Sequence, residues 1–301
     1  MNAVRTGIIG LGKIAADQHI PAIAANPAFE FVAGTTPRPT KLDVPVFTDF
    51  QEMLRAVPCD AVAIATPPAP RFEIALACLD AGLDVLLEKP PCSTLGEVQD
   101  LARHAERAGR VIFSAWHSCF NDAVRQAAAI TRSEGVAAMD IEWLEDAEKW
   151  HPGQLWVWQP GGFGVFDAGM NALSIASMLC TETLIVERAR LTMQEAGQQP
   201  AAAEVTLRTA SAARPFHARF DWRHKGAEQW TIRIETRAGK HIVLTRGGAE
   251  LTVNGAPVPA QADEYGAVYA EFARLIAARE SKLEAEPLRL VADMMLRGER
   301  V

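Results

Sequence analysis

The sequence predicts an α/β protein: a doubly wound parallel sheet followed by an α+β domain with an open, mainly antiparallel sheet. Three observations carry that prediction. Up to about Ser118, short apolar runs alternate with helical patterns, as repeated strand–helix–strand units in a parallel sheet require. The first of these runs ends at Ile9 and feeds directly into a glycine-rich turn, Gly10-Leu11-Gly12. After about Asn121 the pattern changes to period-two alternation broken by turn residues, which suits antiparallel strands with one wet face. A chain of 301 residues is long for one core, so two domains are expected, residues 1–119 and 120–301.

Thr6 to Ile9, Phe29 to Gly34, Ala61 to Thr66, Asp84 to Glu88 and Arg110 to Ala115 read as buried strands, being short apolar runs. Between them Lys13 to Ala25, Phe50 to Ala56, Arg71 to Ala81 and Leu95 to Ala108 read as helices. The second domain opens with a helix at Asp122 to Thr131. Strands are expected at Ala138 to Glu145, Leu184 to Met193, Glu204 to Thr209, His217 to Trp222, Trp230 to Thr236 and His241 to Thr245. Arg237-Ala238-Gly239-Lys240 and Val253-Asn254-Gly255 carry the turn chemistry between strands. Gln198 to Ala203 reads as a loose loop. Helical patterns at Glu264 to Arg279 and Pro287 to Arg297 close the chain and are expected to pack back on the body.

A formal charge of -7, from 30 basic and 37 acidic residues, with no concentrated basic run, excludes nucleic acid as the expected partner. The N-terminal residues lack the apolar run of a secretory signal, and no stretch is long and apolar enough for a bilayer, so no membrane is expected and the cytoplasm is the expected compartment. Five scattered cysteines without a C-x-x-C pair indicate neither a disulfide framework nor a zinc ribbon, and no metal is expected.

In Gly10, Gly12 and Ala15 the first glycine permits a tight turn, the second lets backbone approach a pyrophosphate, and the small third residue lets helix and strand pack closely. The helix starting near Lys13 directs its N-terminal N–H groups at the phosphates. A glycine-rich turn alone also serves packing; its place after a strand at the chain start favours a dinucleotide. The second strand ends in Ala33-Gly34-Thr35-Thr36-Pro37-Arg38, without the acid that NAD sites place on the ribose hydroxyl. Thr36 and Arg38 instead suit a 2′-phosphate. NADP is the expected cofactor. The alternative is a solvated Arg38 and the use of NAD.

Glu88-Lys89-Pro90 follows an apolar strand, so Lys89 projects from the carboxyl edge where open parallel sheets bind ligands. In isolation a Lys-Pro pair after a strand is more often a solvated loop; sharing a sheet edge with the glycine turn reverses that reading. A second cluster, Gly161-Gly162-Phe163-Gly164-Val165-Phe166-Asp167, leads into a helix on which Asp167 and Asn171 share one face. Asp167 is either a carboxylate in a cleft or a helix cap. Trp116-His117, Glu145, Trp150-His151, Trp156 and Trp158 together suit a carbohydrate pocket, since sugar C–H faces pack on indole and hydroxyls need fixed partners; an aromatic core is the alternative.

With Gly10-Leu11-Gly12-Lys13-Ile14-Ala15, Asp17-Gln18-His19, Glu88-Lys89-Pro90-Pro91, Trp116-His117-Ser118, Lys149-Trp150-His151-Pro152-Gly153-Gln154, Phe166-Asp167, Asn171-Ala172-Leu173-Ser174-Ile175, Phe220-Asp221-Trp222-Arg223-His224 and Pro287 to Asp293, the chain resembles the glucose-fructose oxidoreductase and inositol dehydrogenase family. Within it, the resemblance is to members that oxidise D-galactose or L-arabinose at C1. It implies a Rossmann domain followed by an α+β domain whose open sheet pairs subunits into a homodimer. It implies oxidation of an aldose at the anomeric carbon to the aldonolactone, by hydride transfer to the nicotinamide. Lys89, Asp167 and Asn171 would stand at the reacting carbon, with His117, Glu145, Trp150, His151 and Trp230 around the sugar. Gly10, Gly12, Lys13, Ile14, Thr36, Arg38, Thr66, Pro67, Glu88 and Lys89 would form the cofactor set. Two positions depart from the family pattern: Asn171 stands where many members have His, and Cys119 where close relatives carry Arg. A non-catalytic dinucleotide sensor and an oxidoreductase for another sugar or polyol are the rival readings.

Overall fold

The computed structural model describes residues 3–38, 40–194, 198–212 and 214–301. Its chain divides into two compact units. One runs through Ala115 and takes back Tyr265–Ala285; the other holds Trp116–Glu264 and Glu286–Val301.

The first unit is built from β1 (Val4–Ile9), α1 (Ile20–Ala25, preceded by a π-helical turn at Ala15–His19), β2 (Phe29–Thr35), β3 (Val46–Phe47), α2 (Phe50–Ala56), β4 (Ala61–Ile64), α3 (Arg71–Asp80), β5 (Asp84–Glu88), α4 (Leu95–Ala108) and β6 (Ile112–Ala115). The helix ends follow local chemistry. Asp49 accepts from Glu52 N at 2.8 Å to start α2, while Thr94 and Glu97 form a reciprocal capping box on α4, which stops at left-handed Gly109. All residues of β4 and β5 are buried, as strands covered on both faces must be. The sheet order is β3-β2-β1-β4-β5-β6, and every pairing is parallel. Strands are added outward in one direction from β1 to β3 and in the other from β4 to β6, so the winding order reverses between β1 and β4 and opens a crevice at their carboxyl ends.

The second unit contains α5 (Asp122–Glu134), β7 (Val136–Leu144), α6 (Ala147–Trp150), α7 (Phe166–Leu179), β8 (Ile185–Met193), β9 (Pro200–Arg208), β10 (Phe216–Asp221), β11 (Gln229–Thr236), β12 (His241–Thr245), β13 (Glu250–Val253) and β14 (Ala256–Val258). After α8 (Glu264–Ala278) it resumes with α9 (Glu286–Arg297) and β15 (Glu299–Arg300). Nine strands run in the order β14-β13-β12-β11-β7-β10-β9-β8-β15. Two pairings, β10 with β7 and β15 with β8, are parallel, so the sheet is mixed although mainly antiparallel. Helices α5, α7 and α9 pack on one face.

Two expectations need correction. A single cut at residue 119 fails because α8, from Tyr265 onward, belongs to the first unit. Its buried stripe of Tyr265, Val268, Tyr269, Phe272 and Leu275 includes Phe272, which stacks 5.8 Å from Phe29 and 6.1 Å from Phe113. The expected loose loop at Gln198 to Ala203 becomes strand from Pro200, because Ala202 and Ala203 pair with both β8 and β10. The short strands β3 and β15 carry too few residues to show a period.

The approach to α7 is a tight loop in which Gly164 N donates to Val157 O at 2.9 Å and Val165 N to Pro200 O at 2.8 Å. Gly164 has φ of +54°, and a Cβ there would lie 2.3 Å from Pro200 O. Gly164→Ala should therefore lower the unfolding free energy by about 2–3 kcal/mol. Urea denaturation followed by circular dichroism reads this directly; an unchanged midpoint would contradict the packing.

Candidate functional site

In the first unit the crevice is lined by the strand ends. Gly10, with φ of +102°, leaves no room for a side chain, since a Cβ would stand 2.8 Å from Thr66 N and 2.9 Å from Ala65 C. The N–H groups of Gly10 and Leu11 both donate to Thr35 O, at 3.2 and 2.8 Å, which zips the turn to the end of β2. Gly12 is the opposite case: a Cβ placed there meets nothing within 4 Å. Ala15 is fully buried, as close helix–strand packing demands, and Ile14 is half-buried at the helix start. The buried hydroxyl of Thr66 has no partner within the described protein. An open cradle over Gly12 and an orphaned hydroxyl at Thr66 fit a dinucleotide laid across these strand ends.

Other members of the expected cofactor set are placed as follows. The Lys13 ammonium pairs with Asp17 one turn on, so what Lys13 offers the crevice is its backbone at the helix start. Thr36 is buried and its hydroxyl accepts from Arg38 N at 3.2 Å, which holds that turn in place; the Arg38 side chain is exposed. Pro67 is exposed beside Thr66. Lys89 is half-buried and joined to Pro90 by a cis peptide bond.

Glu88 is turned inward. At 3% exposure its carboxylate accepts from Tyr265 Oη at 2.5 Å, lies 3.1 Å from His19 Nε2, and accepts from Lys89 N at 3.0 Å. His19 is fully buried and its Nδ1 lies 2.8 Å from Tyr269 Oη. Burial, together with the charge of Glu88, pushes the Tyr269 phenol far above its ordinary range and keeps it a donor. Buried Arg71 completes the support, with Nη1 donating to Glu88 O at 2.6 Å and to Pro90 O, and Nε donating to Thr66 O at 2.8 Å. Sequence reasoning assigned no role to Arg71, Tyr265 or Tyr269. An arginine opening a helix looks solvent-facing, and the two tyrosines lie far away in sequence.

In the second unit α7 begins at Phe166 with Val165 at the N-cap, so Asp167 is an interior first-turn residue and not the cap. It is 5% exposed, in the N-terminal turn of the helix. Asn171 lies one turn on, half-buried on the same face. His151, from the segment after α6, brings Nε2 to 3.4 Å from Asp167 Oδ2. These three expected residues are gathered together.

The aromatic cluster surrounds a second buried carboxylate. Glu145 accepts from Trp222 Nε1 at 2.9 Å and from Trp230 Nε1 at 2.6 Å. Trp230 in turn lies 5.5 Å from the ring of Trp150 and stacks 6.1 Å from Trp143. Trp150 is 37% exposed, with its N–H on Glu228 Oε1 at 3.2 Å and the Lys149 ammonium 5.2 Å over its ring. His117 Nδ1 lies 2.9 Å from Glu264 Oε1, which also accepts from Asn121 Nδ2 at 3.1 Å; Cys119 is half-buried nearby in the chain. Trp222, missed as a site residue, backs His151 at 5.2 Å. Among the described residues no group of three or more His, Cys, Asp or Glu side chains is arranged to hold a metal ion, and no helix is long and apolar enough to cross a membrane.

Residues 4–116 match the family model described as the oxidoreductase family with an NAD-binding Rossmann fold. Over 307 aligned residues, covering 100% of this chain and 98% of the relative, the sequence is 40% identical to galactose 1-dehydrogenase of Pseudomonas fluorescens. The crystal structure of D-galactose-1-dehydrogenase from Rhizobium etli superposes with a TM-score of 0.93 at 42% identity, covering 100% of this chain and 97% of that one. A 3-ketoreductase from Actinomadura kijaniata, solved with NADP and TDP-benzene, shares the fold at a TM-score of 0.85 and 18% identity, over 100% and 99% of the two chains. With a full-length relative at this identity and these two units in place, the chain is an enzyme and belongs to the glucose-fructose oxidoreductase and inositol dehydrogenase (GFO/IDH/MocA) family of oxidoreductases.

Proposed function

We propose that the enzyme is an aldose 1-dehydrogenase that oxidises the anomeric carbon of D-galactose, and of L-arabinose with the same ring stereochemistry, to the aldonolactone. The observation that carries this reading is full-length similarity, at 40 and 42% identity, to two galactose 1-dehydrogenases. The buried carboxylate of Asp167, flanked by an amide, an imidazole and a wall of indoles, supports it chemically.

Gly10, Gly12, Ile14, Thr66 and the backbone at Lys13 would hold the dinucleotide, with Thr36 and Arg38 at a 2′-phosphate. When bound, NADP supplies the hydride acceptor. Trp150 and Trp230 offer aromatic faces to the C–H side of a pyranose. Asn171 cannot accept a proton at neutral pH, so it orients a hydroxyl by hydrogen bonding, whereas the Asp167 carboxylate can take the anomeric proton. Lys89 is assigned to the same hydroxyl oxygen on the strength of the shared Glu-Lys-Pro motif. Its ammonium stabilises the negative charge that develops there. All five cysteines are free thiols, as the reducing cytoplasm in which we place the reaction would keep them.

The uncovered sheet face supports assembly with a second copy. Arg188 and Arg190 on β8, Glu204 on β9, Arg219 on β10, Asp140 and Glu142 on β7 and Arg233 on β11 alternate in sign strand by strand. A copy rotated about an axis that runs between two neighbouring strands sets basic columns against acidic ones. Sedimentation should show a dimer that weakens as salt rises, and a monomer at low salt would contradict it.

Incubation with D-galactose and NADP should raise absorbance at 340 nm, and no rise across a panel of aldoses would defeat the reading. Asp167→Asn should lower kcat by roughly a hundred- to ten-thousandfold while leaving NADP binding intact; normal turnover would remove Asp167 from its role. Arg38→Ala should weaken NADP binding roughly tenfold or more and leave NAD binding unchanged, an equal effect on both cofactors being the contrary result.

A further inference from the structure

We infer that His151 is the proton outlet of the site. It takes over from Asp167 the proton released by the anomeric hydroxyl, in a tautomer fixed by Gln154 and Trp156. The inference rests on Asp167 being the base, and it answers a question that reading leaves open. The position one turn after Asp167 holds Asn171, which takes up no proton, so the acid–base partner of Asp167 must come from elsewhere in the chain.

The tautomer follows from donor and acceptor inventory. The indole nitrogen of Trp156 only donates, and it lies 2.9 Å from Gln154 Oε1, so the amide atom facing it is oxygen. That same oxygen stands 3.4 Å from His151 Nδ1. An acceptor opposite Nδ1 places the ring hydrogen on Nδ1 and the lone pair of the neutral ring on Nε2. Nε2 is the atom 3.4 Å from Asp167 Oδ2. A lone pair and a carboxylate oxygen repel until one proton comes between them, so the two groups together form a receptor for a single proton.

The surroundings hold this geometry and give it a direction. The imidazole stands edge-on to Trp156 at 6.2 Å and 5.2 Å from Trp222, whose own N–H is tied to Glu145. Asp167 from α7 faces the ring directly, and Glu145 stands behind the Trp222 indole. The side chain of His151 is 20% exposed against 8% for Asp167, which puts the histidine on the water side of the pair. In the step itself the anomeric O–H bond breaks and its proton joins Asp167, with the C1 hydride going to the nicotinamide that a bound NADP would supply. The proton then crosses to Nε2, which restores the Asp167 carboxylate and forms an imidazolium; loss of that Nε2 proton to water returns the ring to its Nδ1–H form.

Two measurements test this on the full-length enzyme. Long-range 1H–15N spectra of the imidazoles should show the His151 ring of the wild type protonated on Nδ1, with that preference lost in Gln154→Leu, a change at an exposed position. A ring protonated on Nε2 in the wild type would overturn the tautomer. In kinetics, His151→Ala should lower kcat about tenfold to a hundredfold with little change in KM for galactose, and added imidazole should restore turnover. An unchanged kcat in His151→Ala beside an inactive Asp167→Asn would sink the outlet and leave the base standing. An active Asp167→Asn would sink the base itself. A loss confined to KM and untouched by imidazole would make His151 a sugar contact and overturn the relay.

Discussion

Two buried glutamates organise the candidate site residues of this molecule, because a carboxylate taken out of water must have its oxygens satisfied by donors held in place. Glu88 meets that demand with a tyrosine hydroxyl, an imidazole and the N–H of the residue that follows it. Each donor comes from a different stretch of chain: Tyr265 from the returning helix α8, His19 from the π-helical turn before α1, and Lys89 from the end of β5. Satisfying one carboxylate thus ties the glycine turn's helix, the lysine strand and a segment nearly two hundred residues away into one lattice. Arg71 adds a second tie by gathering the carbonyls of Thr66, Glu88 and Pro90 onto one guanidinium, whose planar set of donors suits several acceptors at once.

Glu145 plays the corresponding part in the second unit. Its two oxygens receive two indole N–H groups, so Trp222 and Trp230 are oriented by the same buried charge. Trp230 carries Trp150 on one side, while Trp222 backs His151, and His151 faces Asp167. The Trp230–Trp150 pair and the His151–Asp167 pair are therefore both tied to one carboxylate.

Much of this was legible in sequence because it is local. The strands β4 and β5 are apolar runs, α4 is a helical pattern between two of them, and the Gly10-Leu11-Gly12 turn sits at the end of a strand, so periodicity and turn chemistry located them to within a residue or two. Asp167 and Asn171 sharing a helix face followed from spacing alone. What sequence could not show was partnership at a distance. Nothing about Tyr265 or Tyr269 marks them as donors to Glu88 and His19, and a helix pattern at the end of a chain does not say which sheet it covers. The polar face of Arg71 looked like an ordinary first-turn residue. Its burial is visible only once the loop ends after β4 and β5 are seen to need a shared donor.

The central claim, that hydride leaves the anomeric carbon of an aldose, is tested most directly with D-galactose deuterated at C1. After reaction with NADP, mass spectrometry of the reduced cofactor should find one deuterium per molecule formed and none remaining at C1 of the lactone. Reduced cofactor without deuterium, beside a sugar product that still carries it at C1, would place the oxidation at another carbon and contradict the account.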